Sequence, residues 1–242
     1  ALNRWPSEKL IIIGITGTTG KTSSVFLVAS ALKNAGYKVG YTSTAMFSDG
    51  KREWLNDKKM TMVGRFFTQK MLRRMVNNGC QYAIVETTSE GIRQFRHRFI
   101  NYDIVIFTGL YPEHIESHGS FENYRAAKGQ LFRHLGRCRS KYVNDNKQVC
   151  RPKNKLDRIN YLLVKKTIIA NGDDENSGYF LDFWAESKIV YTADPQALAG
   201  RGGVFPRLRR TATRPGRGLG GAGFALGVKS ASSAYEAGAS SY

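Results

Sequence analysis

The sequence predicts an α/β fold with a doubly wound and mainly parallel sheet. A short β-branched run ends in a glycine-rich loop and is followed at once by apolar residues at helical spacing. Strand-like apolar runs and amphipathic helical stretches then alternate through the first 195 residues. With 41% hydrophobic and 12% aromatic residues, the 242-residue chain has enough apolar side chains to bury a core.

The first elements surround the glycine-rich loop. Residues 9–14 (KLIIIG) form a short buried strand, and residues 21–35 place apolar side chains on one face of a helix. Residues 38–44 form a second strand, and residues 49–50, Asp-Gly, mark a tight turn. Residues 65–77 form a second amphipathic helix.

The later elements continue the alternation. We assign strands to residues 82–86, 102–108, 167–170 and 188–192, a polar helical stretch between the first two, and helices to residues 124–135 and 174–185. Residues 138–165 are basic, polar and irregular, and we interpret them as a surface insertion. Ligands of such sheets bind at the carboxyl ends of the strands. Glu86, Thr108 and the loop after Gly14 should therefore converge on one rim.

The composition changes abruptly after Pro195. The last 47 residues hold ten of the 25 glycines, six arginines, one lysine and one acidic residue. We predict one domain over residues 1–195 and a tail over residues 196–242. Three interpretations of the tail remain open: a disordered segment, a basic nucleic-acid-binding arm, or sequence that is not native to the domain, such as a shifted reading frame.

The formal net charge of +18 makes anionic partners relevant. Within the first 195 residues the basic side chains are scattered, which is typical of a solvated surface. No zinc-finger, RNA-recognition or helix-turn-helix pattern occurs, so the sequence argues against dedicated nucleic-acid binding.

Cysteine usage and hydropathy indicate the cellular compartment of the protein. Cys80, Cys138 and Cys150 are odd in number and lack C-x-x-C spacing, which argues against a disulfide framework or a zinc site. No apolar run approaches the roughly 20 residues that span a bilayer, and no signal pattern precedes the first strand. We expect a monomeric cytoplasmic protein without membrane contact. Because Ala1 stands so close to the first strand, we also expect a piece of a longer protein.

The loop Gly14-Ile15-Thr16-Gly17-Thr18-Thr19-Gly20-Lys21-Thr22 has the composition of a phosphate-binding loop. Glycines let the backbone N–H groups curl around an anion, and the following helix adds its positive dipole end. Lys21 would reach the β- and γ-phosphates, and the Thr22 hydroxyl would bind Mg²⁺. The strict pattern requires glycine at position 15, where this chain has Ile15.

The loop and four further segments resemble segments of a known family, and they follow one another in the same order as in that family. The loop T-G-T-T-G-K-T resembles the ATP loop of the Mur ligases, and residues 83–91 (AIVETTSEG) resemble their strand that ends in a metal-binding glutamate. The other matches are residues 107–119 (FTGLYPEHIESHG), residues 124–132 (YRAAKGQLF) and residues 171–174 (NGDD). The resemblance covers about residues 8–195 and is greatest to the branch of UDP-N-acetylmuramoyl-tripeptide synthetases.

The resemblance implies an activity. Mur ligases phosphorylate a substrate carboxylate with ATP and Mg²⁺, and an amino-acid amine then attacks the acyl phosphate. Here the partners would be a UDP-N-acetylmuramoyl peptide and an amino acid, in peptidoglycan biosynthesis. Two of the family's three domains are not recognisable in this sequence, so we expect no ligase turnover from the chain alone.

Site residues also follow from the resemblance. ATP would contact Gly17, Thr18, Thr19, Gly20, Lys21, Thr22, Ser23 and Asn171. Mg²⁺ would be held by Thr22, Glu86, His114 and a carbamylated Lys128, and the catalytic residues would be Lys21, His114 and Lys128. The UDP-sugar peptide would face Thr61, Thr88, Gln94 and Arg96, whereas His118 is given no role. Departures from the family pattern are Val63 for proline, Gly109 for asparagine and Glu113 for aspartate.

Several alternatives remain open at this point. Taken without the family, Glu86 could be a surface acid, His114 a structural histidine and Lys128 a helix-surface lysine. Asn171 could be a turn residue, and Arg96 part of a solvated basic face. A folylpolyglutamate synthase or a cyanophycin-type ligase would use the same loop with another acceptor. A nucleic-acid-binding P-loop protein is the rival from a different functional class.

Overall fold

In the part of the chain that the structure describes, the main sheet has eight strands and packs against helices on both faces. A computed structural model describes residues 5–113 and 115–193. The predicted tail, residues 196–242, and the predicted metal ligand His114 lie outside the described residues.

The strands and helices are as follows. The strands are β1 (Ile11–Thr16), β2 (Val39–Thr42), β3 (Met46–Ser48), β4 (Glu53–Leu55), β5 (Tyr82–Glu86), β6 (Ile104–Phe107), β7 (Lys141–Val143), β8 (Val149–Cys150), β9 (Leu162–Val164), β10 (Thr167–Asn171) and β11 (Ser187–Tyr191). The helices are α1 (Lys21–Asn34), α2 (Arg65–Asn77), α3 (Ser89–Arg93), α4 (Ile115–His118), α5 (Phe121–Leu135) and α6 (Ser177–Leu181), with short 3₁₀ helices at Pro6–Lys9 and Asp157–Asn160.

The strand order of the main sheet is β11-β10-β6-β1-β5-β2-β3-β4. Strands β11 to β2 in this order are parallel, and β3 and β4 add an antiparallel edge. The two central neighbours of β1 are β5 and β6, so the ends of these three strands lie side by side. The predicted mainly parallel α/β sheet is confirmed.

Strand residues alternate between two apolar layers. Ile13 and Ile15 of β1 pack with Val25 and Ala29 of α1 on one face. On the other face, Ile12 belongs to the larger cluster that contains buried residues of α2, α5 and α6. Because successive strand side chains point to opposite faces, one apolar strand covers both layers. This arrangement is the predicted doubly wound architecture.

The edge hairpin β3–β4 is an element that the sequence does not predict. Its turn, however, is at the predicted Asp-Gly: Gly50 has a φ of 85°, and the Asp49 carboxylate accepts the N–H groups of Lys51 and Arg52, both at 3.0 Å. A positive φ favours glycine over other residues. Strands of three residues are too short to show an alternating pattern, so only the turn is visible in the sequence.

The prediction of an irregular insertion over residues 138–165 is wrong in part. Strands β7, β8 and β9 form a second, antiparallel sheet in the order β8-β7-β9. Lys141 of β7 is buried, and its Nζ donates to the Asp103 carboxylate at 2.5 Å and to the Leu10 and Asn101 carbonyls at 2.7 Å each. This sheet is therefore held by a buried charge, which a search for apolar periodicity does not detect.

Helix α6 is shorter than predicted. The sequence pattern places a helix over residues 174–185, whereas the structure has it at Ser177–Leu181. Asp174 Oδ1 accepts the N–H of Asn176 at 2.7 Å, and Asp174 O accepts the N–H of Ser177 at 3.1 Å. Asp side chains that bond the nearby backbone favour turns over helix interiors, which delays the start of this helix.

We predict that Asp103→Ala destabilises the fold by about 3 to 5 kcal/mol, because it leaves two buried ammonium groups without their shared carboxylate. Asp103 is fully buried, with Lys141 Nζ at 2.5 Å from one carboxylate oxygen and Lys166 Nζ at 2.7 Å from the other. Urea unfolding measures the change. Asp57→Ala, which breaks an exposed pair with Lys58, is the matched control and should leave the urea midpoint nearly unchanged. Equal effects of the two substitutions would contradict this assignment.

Candidate active site

The ends of β1, β5 and β6 meet at one rim, as the sequence predicts. The Thr22 hydroxyl, in the first turn of α1, donates to the two Glu86 carboxylate oxygens at 3.0 and 3.1 Å. The Thr108 hydroxyl, just after β6, donates to the carbonyl of Thr19 at 2.6 Å. Three segments that are far apart in the sequence therefore contact one another around the glycine-rich loop.

The glycines of the loop are required by its surroundings. A Cβ on Gly17 would clash with the Thr108 hydroxyl and would lie 2.9 Å from the Gly109 carbonyl. Gly20 has a φ of 75° and precedes α1 with no side-chain cap for the first N–H groups of the helix. A 14-residue helix that begins in this way presents unsatisfied N–H groups and its positive dipole end to an anion.

Ile15, the departure from the strict loop pattern, is a core residue. It is fully buried in β1 and pairs with Glu86 of β5 and Ile106 of β6. Because the strand continues to Thr16, the loop itself begins at Gly17. The isoleucine therefore does not interfere with the part of the loop that faces the rim.

Thr18 has its hydroxyl and N–H engaged within the protein. Its N–H donates to the Gly109 carbonyl at 2.7 Å, and its hydroxyl oxygen accepts the N–H of Tyr111 at 3.0 Å. Thr19 and Gly20, which follow it, are exposed, as is Ser23 in the first turn of α1. Among the predicted ATP contacts, Thr18 anchors the loop, and Thr19 and Gly20 face outward.

Lys21 folds back over the loop. Its Nζ donates to the Thr18 carbonyl at 2.6 Å, and the residue is half-buried. Burial lowers the pKa of Lys21 below its usual value, against the attraction of Glu86 and Glu113, which raises it. The side chain is thus a cation held at the loop, close enough to two carboxylates to feel their charge.

Glu86 is a buried carboxylate with several donors. Besides the Thr22 hydroxyl, it accepts the N–H of Thr44 at 2.8 Å and the Thr44 hydroxyl at 2.9 Å. The Thr44 hydroxyl oxygen also lies 2.9 Å from the Thr61 hydroxyl, which can donate to it. The sequence analysis did not single out Thr44, although it lies at the end of the second predicted strand and therefore at the same rim.

Lys128, in α5, points its ammonium group at the same loop. The side chain is 1% exposed, its Nζ donates to the Gly17 carbonyl at 2.8 Å, and it lies 4.5 Å from the ring centroid of Tyr124. The pKa of Lys128 is lowered to about 7, chiefly by burial and also by the positive charge of Lys21, whereas the Glu113 carboxylate opposes the shift. A large fraction of the amine is therefore unprotonated near neutral pH.

This lowered pKa gives a pH prediction. In the unfolded chain a lysine keeps its proton up to about pH 10.4. Between pH 7 and that value the unfolded state binds more protons, so stability rises with pH in this window. In CO₂-free buffer, the unfolding free energy of the wild type should therefore rise relative to Lys128→Met between about pH 7 and pH 10. A difference between the two proteins that stays constant with pH would contradict the shift.

A metal ion at this rim would have a small set of protein ligands. Within residues 5–113 and 115–193, no group of three or more histidine, cysteine, aspartate and glutamate side chains could hold a metal. Glu86 and the Thr22 hydroxyl offer oxygen ligands, which suit Mg²⁺, a cation that keeps several waters. The residues present fit a Mg²⁺ ion that is bound jointly with phosphate oxygens.

Asn171 and Gly109 lie on the neighbouring loops. The Asn171 amide donates to the Thr108 carbonyl at 3.1 Å, and its side-chain oxygen accepts the N–H of Asp173 at 3.1 Å. Gly109 has a φ of 152°, and a Cβ there would lie 3.3 Å from Asp174 Oδ2, which accepts the Leu110 N–H at 2.6 Å. A φ in this range is one that other residues rarely adopt, so the backbone conformation suits the glycine that stands where the family pattern has asparagine.

Three of the four predicted substrate residues, Thr61, Gln94 and Arg96, are connected through the Arg96 side chain. The Arg96 guanidinium donates to the Met62 carbonyl and to the Gln94 side-chain oxygen, and Thr61 precedes Met62. The fourth, Thr88, caps α3: its hydroxyl oxygen accepts the N–H of Gly91 at 3.0 Å. The predicted substrate contacts therefore have structural roles that fix their positions beside the rim.

Comparison with known proteins identifies relatives. Residues 15–199 match the family model described as the Mur ligase middle domain. A UDP-N-acetylmuramyl-tripeptide synthetase of Roseiflexus sp. (strain RS-1) is 32% identical over 179 residues, which cover 73% of this chain and 32% of that protein. The same-named protein of Borrelia garinii subsp. bavariensis is 42% identical over 131 residues, covering 53% and 26% of the two chains.

Solved structures show the same fold. A UDP-N-acetylmuramoyl-L-alanyl-D-glutamate–2,6-diaminopimelate ligase matches with a TM-score of 0.56 at 22% identity, covering 76% of this chain and 32% of the other. MurF from Acinetobacter baumannii matches with a TM-score of 0.50 at 14% identity, covering 78% and 33%. The chain thus spans about a third or less of the length of the relatives it matches. Among the described residues, no helix is long and apolar enough to cross a membrane.

Proposed function

The chain belongs to the Mur ligase family, and from this premise we propose that its domain over residues 1–195 binds Mg-ATP for an amide-bond-forming ligation. The acceptor is a UDP-N-acetylmuramoyl peptide and the donor of the amine is an amino acid, in peptidoglycan biosynthesis. One observation supports this most: Lys21, Glu86 and Lys128 converge on one glycine-rich loop. The proposal includes the monomeric, cytoplasmic protein that the sequence predicts.

The loop and α1 hold the phosphates. The exposed residues Thr19 and Gly20 and the first turn of α1, which includes Ser23, would contact the anion, and no side chain caps the start of the helix. Lys21 exchanges its bond to the Thr18 carbonyl for the β- and γ-phosphates. Asn171, at the end of β10, lies beside Thr108 on the side where the base would sit.

Thr22, Glu86 and a carbamylated Lys128 would hold the Mg²⁺ ion, together with His114, which the family pattern adds to this set. When bound, Mg²⁺ supplies positive charge that neutralises the phosphate oxygens during transfer. Thr22 and Thr44 orient the Glu86 carboxylate, because the Thr22 hydroxyl and the N–H and hydroxyl of Thr44 all donate to it. The chain's own contribution is therefore a fixed anion at the mouth of the loop.

Lys128 contributes as a carbamate. The ammonium group first loses a proton, and the neutral amine then attacks carbon dioxide, forming an N–C bond as one C=O π bond opens onto oxygen, and releases a second proton. The two proton losses convert a buried cation into an anion. The lowered pKa makes the amine available for this step. A carbamate nitrogen keeps one N–H, so the bond to the Gly17 carbonyl is compatible with both forms.

The reaction transfers the γ-phosphoryl group of ATP to a substrate carboxylate, and the amino-acid amine displaces phosphate from the resulting acyl phosphate. Catalysis of this kind is mostly positioning and charge neutralisation. Thr61, Thr88, Gln94 and Arg96 face the UDP-sugar peptide, and the Arg96 guanidinium pairs with one of its anionic groups.

We predict that Arg96→Ala weakens binding of UDP-N-acetylmuramoyl dipeptide about tenfold, because a charge-assisted contact is lost. Fluorescence or calorimetric titration measures it. Arg98→Ala is the matched control, since Arg98 is exposed and packs on the Phe95 ring, and it should leave the affinity within about twofold.

The same titration separates the rivals. Preferential binding of a folate or of an acidic peptide polymer would favour a folylpolyglutamate or cyanophycin-type ligase. Salt-dependent DNA or RNA affinity that survives removal of residues 196–242 would favour the nucleic-acid reading of the +18 charge.

A further inference from the structure

Tyr124 is a buried aromatic residue in the first turns of α5. Its side chain is 1% exposed. The start of this helix is fixed because the Ser120 hydroxyl oxygen accepts the N–H of Asn123 at 3.1 Å. A capped start fixes where each later side chain of the helix points. Tyr124 therefore has a defined position beneath the rim.

The hydroxyl of Tyr124 contacts the glycine-rich loop. It lies 3.2 Å from the hydroxyl of Thr18, which is also buried. Burial raises the pKa of Tyr124 above its usual value, so the phenol stays neutral at physiological pH. The contact is thus a hydrogen bond between two neutral hydroxyls inside the protein, and it adds to the anchoring of Thr18 by Gly109 and Tyr111.

The ring of Tyr124 contacts Lys128. Residues four apart in a helix lie on the same face, so the ammonium group lies 4.5 Å from the ring centroid. Lys128 Nζ in turn donates to the Gly17 carbonyl at 2.8 Å. These contacts form a closed cycle. The Thr18 hydroxyl contacts the Tyr124 hydroxyl, the Tyr124 ring contacts the Lys128 ammonium group, and that group donates to the carbonyl of Gly17. Gly17 and Thr18 are joined by a peptide bond.

We propose that Tyr124 is a positioning residue that fixes the Gly17–Thr18 peptide of the loop relative to Lys128. The inference rests on the proposed function, because the two groups that it aligns are the phosphate-binding loop and the lysine beside it. Without the hydroxyl contact, the loop keeps its glycines and Lys21 but loses one of the contacts that hold Thr18 in place. The loop then samples more conformations, and nucleotide binding has to select one of them.

The contacts of the ring also reach the substrate side. The His118 ring centroid lies 5.0 Å from that of Tyr124, and His118 Nε2 lies 3.1 Å from the Ser89 hydroxyl at the start of α3. Removing the whole ring therefore disturbs more than the loop. The hydroxyl alone is the group to remove in a test, since phenylalanine keeps the ring contacts with Lys128 and His118.

The first measurement is calorimetric titration of the whole chain with Mg-ADP. Tyr124→Phe should raise the Kd about fivefold, as expected for loss of one buried hydrogen bond. Tyr179→Phe is the matched control: Tyr179 also packs on α5, over Gly129 and beside Arg125, but away from the loop. Its Kd should remain within about twofold of wild type. An unchanged Kd for Tyr124→Phe, or equal increases for both variants, would overturn the positioning role.

The second measurement does not depend on nucleotide. The Thr18 amide donates to Gly109, so its hydrogen exchange reports opening of the loop. Tyr124→Phe should speed this exchange about fivefold without changing exchange of the central strand β1, and Tyr179→Phe should not. If the wild type binds no Mg-ADP, the proposed function fails, and the exchange rate still decides whether Tyr124 holds Thr18. An unchanged Thr18 exchange rate in Tyr124→Phe would refute the inference.

Discussion

Lys21→Ala is expected to raise the Kd for Mg-ATP by about 100-fold or more. The ammonium group is half-buried at the loop, where it would pair with the phosphates of the nucleotide. Removing one partner of a desolvated charge pair reduces the binding free energy more than removing an exposed contact does. Its bond to the Thr18 carbonyl is local, so the fold should remain intact. Isothermal titration calorimetry measures the affinity, and circular dichroism checks the fold.

Lys33→Ala is the control for this substitution. Lys33 lies in the last turn of the same helix, and its Nζ forms an exposed pair with Glu53. Loss of such a pair has little effect on stability and should leave nucleotide affinity unchanged. If Lys21→Ala bound Mg-ATP as tightly as the control, the loop would not be the phosphate site.

The second large effect concerns Lys128. In an intact relative, replacing the lysine that corresponds to Lys128 by alanine should reduce ligase activity by about 100-fold or more, because an anionic metal ligand is lost. A short carboxylate added to the alanine variant should restore part of the activity, since it supplies the missing oxygens. The arginine variant, whose side chain cannot form a carbamate, should be as inactive as the alanine variant.

A direct observation complements these activities. Carbon-13 NMR of the chain in ¹³C-bicarbonate should show a carbamate resonance that is absent in Lys128→Arg. Full activity of the arginine variant of the relative, together with no such resonance in the chain, would require the carbamate to be abandoned. The lysine would then act as a cation on the loop, consistent with its bond to Gly17.

Long, regular elements were predictable from the sequence. The helix predicted over residues 65–77 is observed at Arg65–Asn77, and the strand predicted over residues 82–86 is observed at Tyr82–Glu86. Each element shows one apolar face or one β-branched run over enough residues to reveal its period. Elements of two or three residues, such as β3 and β8, do not show a period because pairing alone defines them.

The candidate site was predictable where topology sets it. The contact between Thr22 and Glu86 follows from the rule that neighbouring parallel strands end at one edge. The engagement of Thr18 with Tyr111 and Tyr124 did not follow, because a tyrosine in an amphipathic helix is indistinguishable from a core residue by pattern. The spacing of four residues between Tyr124 and Lys128 was the available signal that the two side chains share one helix face.

Buried charges were the other feature that pattern analysis missed. Lys141 and Lys166 are both within hydrogen-bond distance of Asp103, at the opposite ends of β6 and β10 from the rim. Sequence reasoning places lysines at the surface, since an isolated buried ammonium is costly. Only the tertiary arrangement shows that one carboxylate serves two lysines and joins the small sheet to the large one.

The most direct test of the account is a calorimetric titration of ATP into the wild-type chain, once in the presence of Mg²⁺ and once in its absence. We expect one saturable site per chain, competition by ADP, and weaker binding when Mg²⁺ is removed, because Thr22 and Glu86 then have no cation to share with the phosphates. Absence of saturable binding by a chain that circular dichroism shows to be folded would contradict the assignment of the glycine-rich loop as the ATP site.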